Sequence, residues 1–167
     1  MGRKSAGGIA VPLKVLVAVL VVLTVATASW AGGRAADFTL PSVLDGKEYS
    51  LSQFRGKVVM LNFFTFFCGP CREEMPYLNQ IYKENQGSGY VTVGIGLASD
   101  PTQLRFLVKQ LNLDYPVLVG NDKVAQDYGN VEVVPTTIVI DRQGNIVQKI
   151  VGARSKADFE KIIRPLL

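Results

Sequence analysis

One stretch limits the possible folds more than any other: VVMLNFFTFFCGPCREEMP, residues 58–76. Its first seven residues are apolar except for Asn62, and rich in β-branched and aromatic side chains. A strand with one wet face alternates polar and apolar residues, whereas a continuous run belongs to a strand covered on both faces. After the second cysteine the period changes. Met75, Leu78, Ile81 and Tyr82 fall on one helical stripe. Pro76 interrupts that stripe and is expected to kink the helix, because it has no N–H for the carbonyl of Arg72. A doubly buried strand that runs into a helix requires a sheet with layers above and below it.

The rest of the chain supplies those layers. DFTLPSVLDGKEYSL, residues 37–51, holds two short strand-like runs around Asp45-Gly46, a hairpin signal. SQFRGK reads as a turn or a single helical turn. Residues 90–98, YVTVGIGLA, form the next strand. Asp100 and Pro101 then open a helix as N-cap and first helical residue, with Leu104, Leu107, Val108 and Leu111 as its stripe. YPVLVG is a short strand, and NDKVAQDYG a short helix closed by Gly129. TTIVID and NIVQKIVG flank the turn 141–144, and a last helix follows Ser155 as its cap. The order is β-β-β-α-β-α-β-α-β-β-α. It predicts an α/β chain with a central mixed sheet flanked by helices and an N-terminal β-hairpin extension.

Residues 1–31 read as an address. Arg3, Lys4 and Lys14 precede or open an apolar run, and no charge occurs from Val15 to Gly33. Ala26-Thr27-Ala28 and Ser29-Trp30-Ala31 fit the small-x-small pattern of a cleavage site, so the segment is expected to be a signal peptide or an N-terminal membrane anchor. In either case the basic end stays in the cytoplasm and the domain lies outside. Residues 32–36, GGRAA, read as a flexible linker, and 37–167 as the domain. The net charge is +4, but without those three cations 15 basic residues face 14 acidic ones, so no basic patch points to nucleic acid. The chain has no histidine, which excludes Ser-His and Cys-His catalytic pairs and His-bound metals. No cofactor or metal is expected.

Chemistry therefore falls to the two cysteines, Cys68 and Cys71. Cys68 closes the buried strand and opens the helix. Free N–H groups and the helix dipole at that position favour an anion, and the thiolate is the reactive form. Pro70 fits the first turn, where its missing N–H costs little. Cys71 lies three residues on, along the same face. Cys68 is thus the expected attacker of a disulfide, and Cys71 the buried thiol that resolves the mixed disulfide. Half of a zinc site would need an intermolecular Cys₄ set. A purely structural disulfide across so small a loop restrains little of the unfolded chain.

FFTFFCGPC after a buried strand, with VVPTTIVID some sixty residues later, resembles the thioredoxin superfamily. The N-terminal hairpin, the NF…CxPCxxExP pattern and the VPTT…ID segment resemble most its extracytoplasmic TlpA/ResA-like branch of thiol-disulfide oxidoreductases, related to the AhpC/TSA-Redoxin group. The likeness covers residues 36 to about 167. It implies a thioredoxin-like fold and a redox-active Cys68–Cys71 pair. It also implies a cis Val134–Pro135 bond facing the dithiol, with the Val134 backbone pairing to the substrate strand. Phe67, Gly69 and Pro70 share that substrate-facing surface, Phe67 as an apolar lip. Thioredoxin has a buried aspartate where this chain has Asn62, which cannot take a proton. The branch has a glutamate at Glu74, one turn along the helix from Cys71, which makes Glu74 the expected proton acceptor for Cys71. Relatives usually carry tryptophan at the positions of Phe64 and Phe67.

The resemblance implies a reductant of protein disulfides outside the cytoplasmic membrane. Apocytochrome c is a candidate substrate, a membrane dithiol carrier the electron donor, and the protein a monomer. Gly69-Pro70 is the dipeptide of reducing thioredoxins. Two other readings remain open. A peroxiredoxin-like peroxidase would use Thr65 three residues before Cys68, but Leu61 stands where that motif has proline. A redox-inert binding or chaperone module would tolerate loss of both cysteines.

Overall fold

The computed structural model describes residues 32–167. The reading of residues 1–31 as signal peptide or anchor, and Trp30 with it, lies outside the described residues. Among the described residues no helix is long and apolar enough to cross a membrane.

The elements follow the order read from the sequence. Strands β1 (Thr39–Pro41) and β2 (Glu48–Ser50) form an antiparallel hairpin, and a 3₁₀ turn (Leu51–Phe54) leads on. The core alternates β3 (Val58–Phe64), α1 (Gly69–Asn85), β4 (Tyr90–Gly96), α2 (Pro101–Leu111), β5 (Val117–Val119) and α3 (Asp122–Asp127). Strands β6 (Thr136–Ile140) and β7 (Ile146–Val151) and helix α4 (Lys156–Ile163) complete it. The main sheet has five strands in the order β5-β4-β3-β6-β7. The pairs β5–β4 and β4–β3 are parallel, and β3–β6 and β6–β7 antiparallel.

β3 lies at the centre with all seven residues buried, as its unbroken apolar pattern requires. Its alternate side chains feed two cores. Val58, Met60 and Phe64 join one made with Met75, Leu78 and Ile81 of α1, Leu104, Leu107 and Val108 of α2, and Phe159 and Ile163 of α4. Val59, Leu61 and Phe63 join the other, with Val124 of α3 and with Phe38, Leu40 and Phe54 from the hairpin region. Asn62 shares its pleat face with Met60 and Phe64 and is fully buried.

Local chemistry sets the helix ends. Asp100 accepts from the N–H groups of Thr102 and Gln103, and Gln103 accepts in return from Asp100 N–H, a complete capping box before Pro101. Helix α1 runs through Pro76 to Asn85 as one element. Its buried face includes Asn79, which donates to Asn112 O and Asp114 Oδ2 (both 3.0 Å) and accepts from Asp114 N–H (2.8 Å). That clasp fixes the turn after α2.

The stretch 32–36 departs from the flexible joint expected of GGRAA. Ala35 N–H donates to Gly144 O, Ile146 N–H donates to Gly33 O, and Arg34 forms a bridge with Asn145. A Cβ at Gly32 would come within 2.3 Å of Ile146 O, so glycine here permits close backbone approach. The physical reason for the difference lies at the start of edge strand β7 and in the turn before it, where Ile146 N–H and Gly144 O find their partners in this segment.

Candidate active site

The site forms where β3 ends. Residues 64–68 are held in place by their neighbours. Leu97 N–H donates to Phe64 O (2.7 Å), Phe66 N–H to Ser99 Oγ (2.9 Å) and Cys68 N–H to Thr65 O (3.2 Å). Cys68 then caps α1, its sulfur accepting from Cys71 N–H at 3.2 Å. Pro70 sits in the first turn. The two cysteines form a disulfide with Cα atoms 5.3 Å apart. Cys68 is partly exposed and Cys71 is wholly buried. Donor-rich helix ends favour negative sulfur, so of the two sulfurs Cys68 combines access with stabilisation as a thiolate.

The Val134–Pro135 bond is cis. Thr136 is paired with Phe63, so this bond lies at the same end of the sheet as the dithiol loop. Pro135 is buried, and Val134, like Cys68, packs against the α1-side core. Among the described residues no hydrogen bond engages the N–H or C=O of Val134, which leaves both available to an added strand. Beside it runs an open groove of about 500 Å³, lined by Thr65, Ala98, Ser99, Gly120, Glu132 and Val134 among others. Phe67 is 77% exposed and meets Phe66 edge-on at 5.0 Å between centroids. Gly69 and Pro70 are exposed. Phe64 is fully buried beneath the loop and presents no surface.

Glu74 lies one turn beyond Cys71 and is 2% exposed, while Glu73 points to solvent. Asn62 Nδ2 donates to Glu74 Oε1 at 2.7 Å and to Thr137 Oγ1 at 3.1 Å. The main-chain N–H of Arg154 donates to Glu74 Oε2 at 3.2 Å. Gly152, with φ of +87°, turns the chain after β7 so that residues 153–155 cover the carboxylate. Burial raises the Glu74 pKa above its ordinary 4.5, and the Asn62 and Arg154 donors with the Arg154 charge draw it part of the way back. Tyr115 is also wholly buried nearby. Burial, and then the Glu74 charge, push its phenol far up, so it stays protonated. Gly94, opposite Asn62 in the sheet, makes room for this layer: a Cβ there would lie 3.2 Å from the rings of both Phe64 and Tyr115. A groove of about 310 Å³ between Pro70, Tyr77 and the 153–155 turn reaches Glu74 from outside.

The structure thus gathers Cys68, Cys71, Phe67, Gly69, Pro70, Val134 and Pro135 at one end of the sheet, with Glu74 behind the dithiol. The sequence reading missed Thr137, Tyr115 and the Arg154 main chain as parts of this site, and it took Asn62 only for a lost base. The second threonine of VPTT was the one available signal.

Comparison with known proteins agrees with this geometry. The chain matches the Redoxin family over residues 30–163. It is 35% identical over 136 residues to the thiol-disulfide oxidoreductase ResA of Geobacillus thermodenitrificans, covering 81% of this chain and 77% of that protein. Among solved structures, a thioredoxin-family thiol:disulfide interchange protein of Chlorobium tepidum superposes with a TM-score of 0.75 at 33% identity, over 81% of this chain and 96% of that one. A secreted thiol-disulfide isomerase of Corynebacterium glutamicum gives 0.74 at 29% identity, over 79% and 84%. The chain belongs to the Redoxin family and is a TlpA/ResA-like member of the thioredoxin superfamily.

Proposed function

We propose that this protein is a thiol-disulfide oxidoreductase that reduces disulfides in proteins outside the cytoplasmic membrane. One observation carries the reading: a partly exposed Cys68 at a helix N-terminus is paired with a wholly buried Cys71 in a single disulfide. In the reduced protein, Cys68 thiolate attacks a substrate sulfur. One substrate thiolate leaves, and a mixed disulfide forms. Cys71, deprotonated, then attacks Cys68 Sγ and expels the second substrate thiolate. Two electrons pass to the substrate, which ends as a dithiol, and Cys68–Cys71 ends as the disulfide. Glu74, buried one turn from Cys71, takes the Cys71 proton. Val134 presents free backbone groups to the substrate strand across Pro135, and Phe67, Gly69 and Pro70 form the contact surface.

The finer assignment rests on the resemblance and on residues 1–31, read as a signal peptide or an anchor. The substrate class is then an extracytoplasmic protein such as apocytochrome c, whose thiols must be free to receive haem. The electrons come from a membrane dithiol carrier. A peroxidase is the weaker reading. Leu61 is buried mid-strand where a peroxidatic loop needs proline, and the partner of Cys68 lies one helical turn away.

The test is single-turnover reduction of a peptide with an oxidised Cys-x-x-Cys-His segment, beside consumption of hydrogen peroxide. The reduced protein should reduce the peptide stoichiometrically, and a Cys68→Ser variant should not. Rapid peroxide consumption with an untouched peptide would replace this reading with the peroxidase.

A further inference from the structure

We propose that Asn62 is a positioning residue for Glu74: its side-chain amide orients the buried carboxylate and sets how tightly that carboxylate holds a proton. The proposal rests on the reading of Glu74 as the proton acceptor for Cys71, but its geometry stands apart from that reading.

Asn62 sits in the central strand, where the other six residues are all apolar, and it is fully buried. A polar residue there is costly unless its groups are partnered. Both of its bonds come from the NH₂ group, to Glu74 Oε1 at 2.7 Å and Thr137 Oγ1 at 3.1 Å. Its carbonyl oxygen meets no donor among the described residues. The amide therefore spends its donors on α1 and β6 and leaves its acceptor idle. An amide whose purpose was to stitch the sheet would use both ends. This one is turned toward the Glu74 carboxyl, and a hydrogen bond from an N–H is stronger to the ionised carboxylate than to the neutral acid.

The remaining surroundings of Glu74 define what Asn62 works against. From the turn after β7, Arg154 supplies its N–H to Oε2 and its positive charge. From the segment before β5, Tyr115 is neutral and feels the carboxylate. On α1 itself stand Cys71 and, at the groove, Glu73, while Asp158 of α4 and Ser155 line the same groove. Each carboxylate oxygen thus has one neutral N–H donor, Asn62 on one side and Arg154 on the other. Of the two only Asn62 is a side chain, so only it can be changed by substitution without moving the backbone. A residue without a donor at position 62 leaves Oε1 bare in a buried site, and the carboxyl then holds its proton to higher pH. Aspartate would do more, because two carboxyls in one dry site cannot both ionise.

The experiment follows the Glu74 side-chain carboxyl by carbon-detected NMR from about pH 4 to about pH 9. It uses the oxidised protein, in which the disulfide-bonded cysteines do not titrate. Parent, Asn62→Leu and Asn62→Asp are compared. In Asn62→Leu the Glu74 midpoint should rise by about one pH unit, a tenfold gain in proton affinity. In Asn62→Asp the two carboxyls should titrate as a coupled pair, with one step higher still. An unmoved Glu74 midpoint in folded Asn62→Leu overturns the proposal. If that variant does not fold, Asn62→Asp decides: coupled steps support the proposal, and an independent Glu74 step at its parent position refutes it. The pH profile of peptide reduction on the same variants separates the two readings. A moved Glu74 midpoint with an unmoved rate profile upholds Asn62 as the group that positions Glu74, and removes Glu74 from the proton path.

Discussion

Replacing Glu74 by glutamine turns its burial into a measurable slope. Burial places the folded-state pKa of Glu74 above the ordinary 4.5 that it has in the unfolded chain. Between those two values the native protein binds more protons than the unfolded one, so stability falls as pH rises. Below 4.5 both states are protonated and nothing is lost; above the folded value the loss is complete. Glutamine has no such term. Within the window the parent should therefore lose up to about 1.4 kcal/mol per pH unit relative to Glu74→Gln. A second effect is independent of pH. Glutamine offers one oxygen where Asn62 and Arg154 supply two donors, so one buried N–H goes unmet, at about 1–3 kcal/mol. At low pH the variant should be the less stable protein, and the gap should close as pH rises. Urea unfolding of both oxidised proteins at steps from about pH 4 to about pH 9 reads the difference, in which all other titrations cancel. A difference that stays flat with pH, or a parent that gains on the variant as pH rises, would refute the argument.

Three other perturbations address separate parts of the account. Cys71→Ser should accumulate a mixed disulfide on Cys68 when offered a substrate disulfide, detectable by mass spectrometry; trapping instead in Cys68→Ser, on Cys71, would invert the assigned roles. Phe67→Ser should leave the free energy of urea unfolding within about 0.5 kcal/mol of the parent, because the ring is 77% exposed, yet raise KM for the peptide substrate. Equal KM values would take Phe67 off the contact surface. Asn79→Ala removes three hydrogen bonds that clasp α1 to residues 112–114, and should cost about 1–3 kcal/mol in urea unfolding with the chemistry intact.

The parts of this molecule that were legible in advance are those governed by local pattern. The unbroken run 58–64 announced a doubly covered strand, and Asp100-Pro101, Ser155 and Gly129 marked helix ends by rules that act within four residues. The dithiol and its helix are also local, so their geometry was readable from spacing. What escaped were contacts between distant residues. Asn62 reaches Glu74 across 12 positions and Thr137 across 75. The Arg154 contribution is a main-chain N–H, which no side-chain pattern can signal. Asn79 lay on the buried stripe of α1 and broke its apolar period, a sign of a polar clasp whose partners in the 112–114 turn only the fold supplies. GGRAA reads as flexible because nothing in glycine composition reveals an open sheet edge waiting to be paired.

The most direct test of the central claim is the equilibrium reduction potential of the Cys68–Cys71 pair, measured in a thiol redox buffer with mass-tagging of free thiols. A protein that donates electrons to substrate disulfides should give a value near or below about −220 mV. A value near about −120 mV would make it an oxidant and contradict the account.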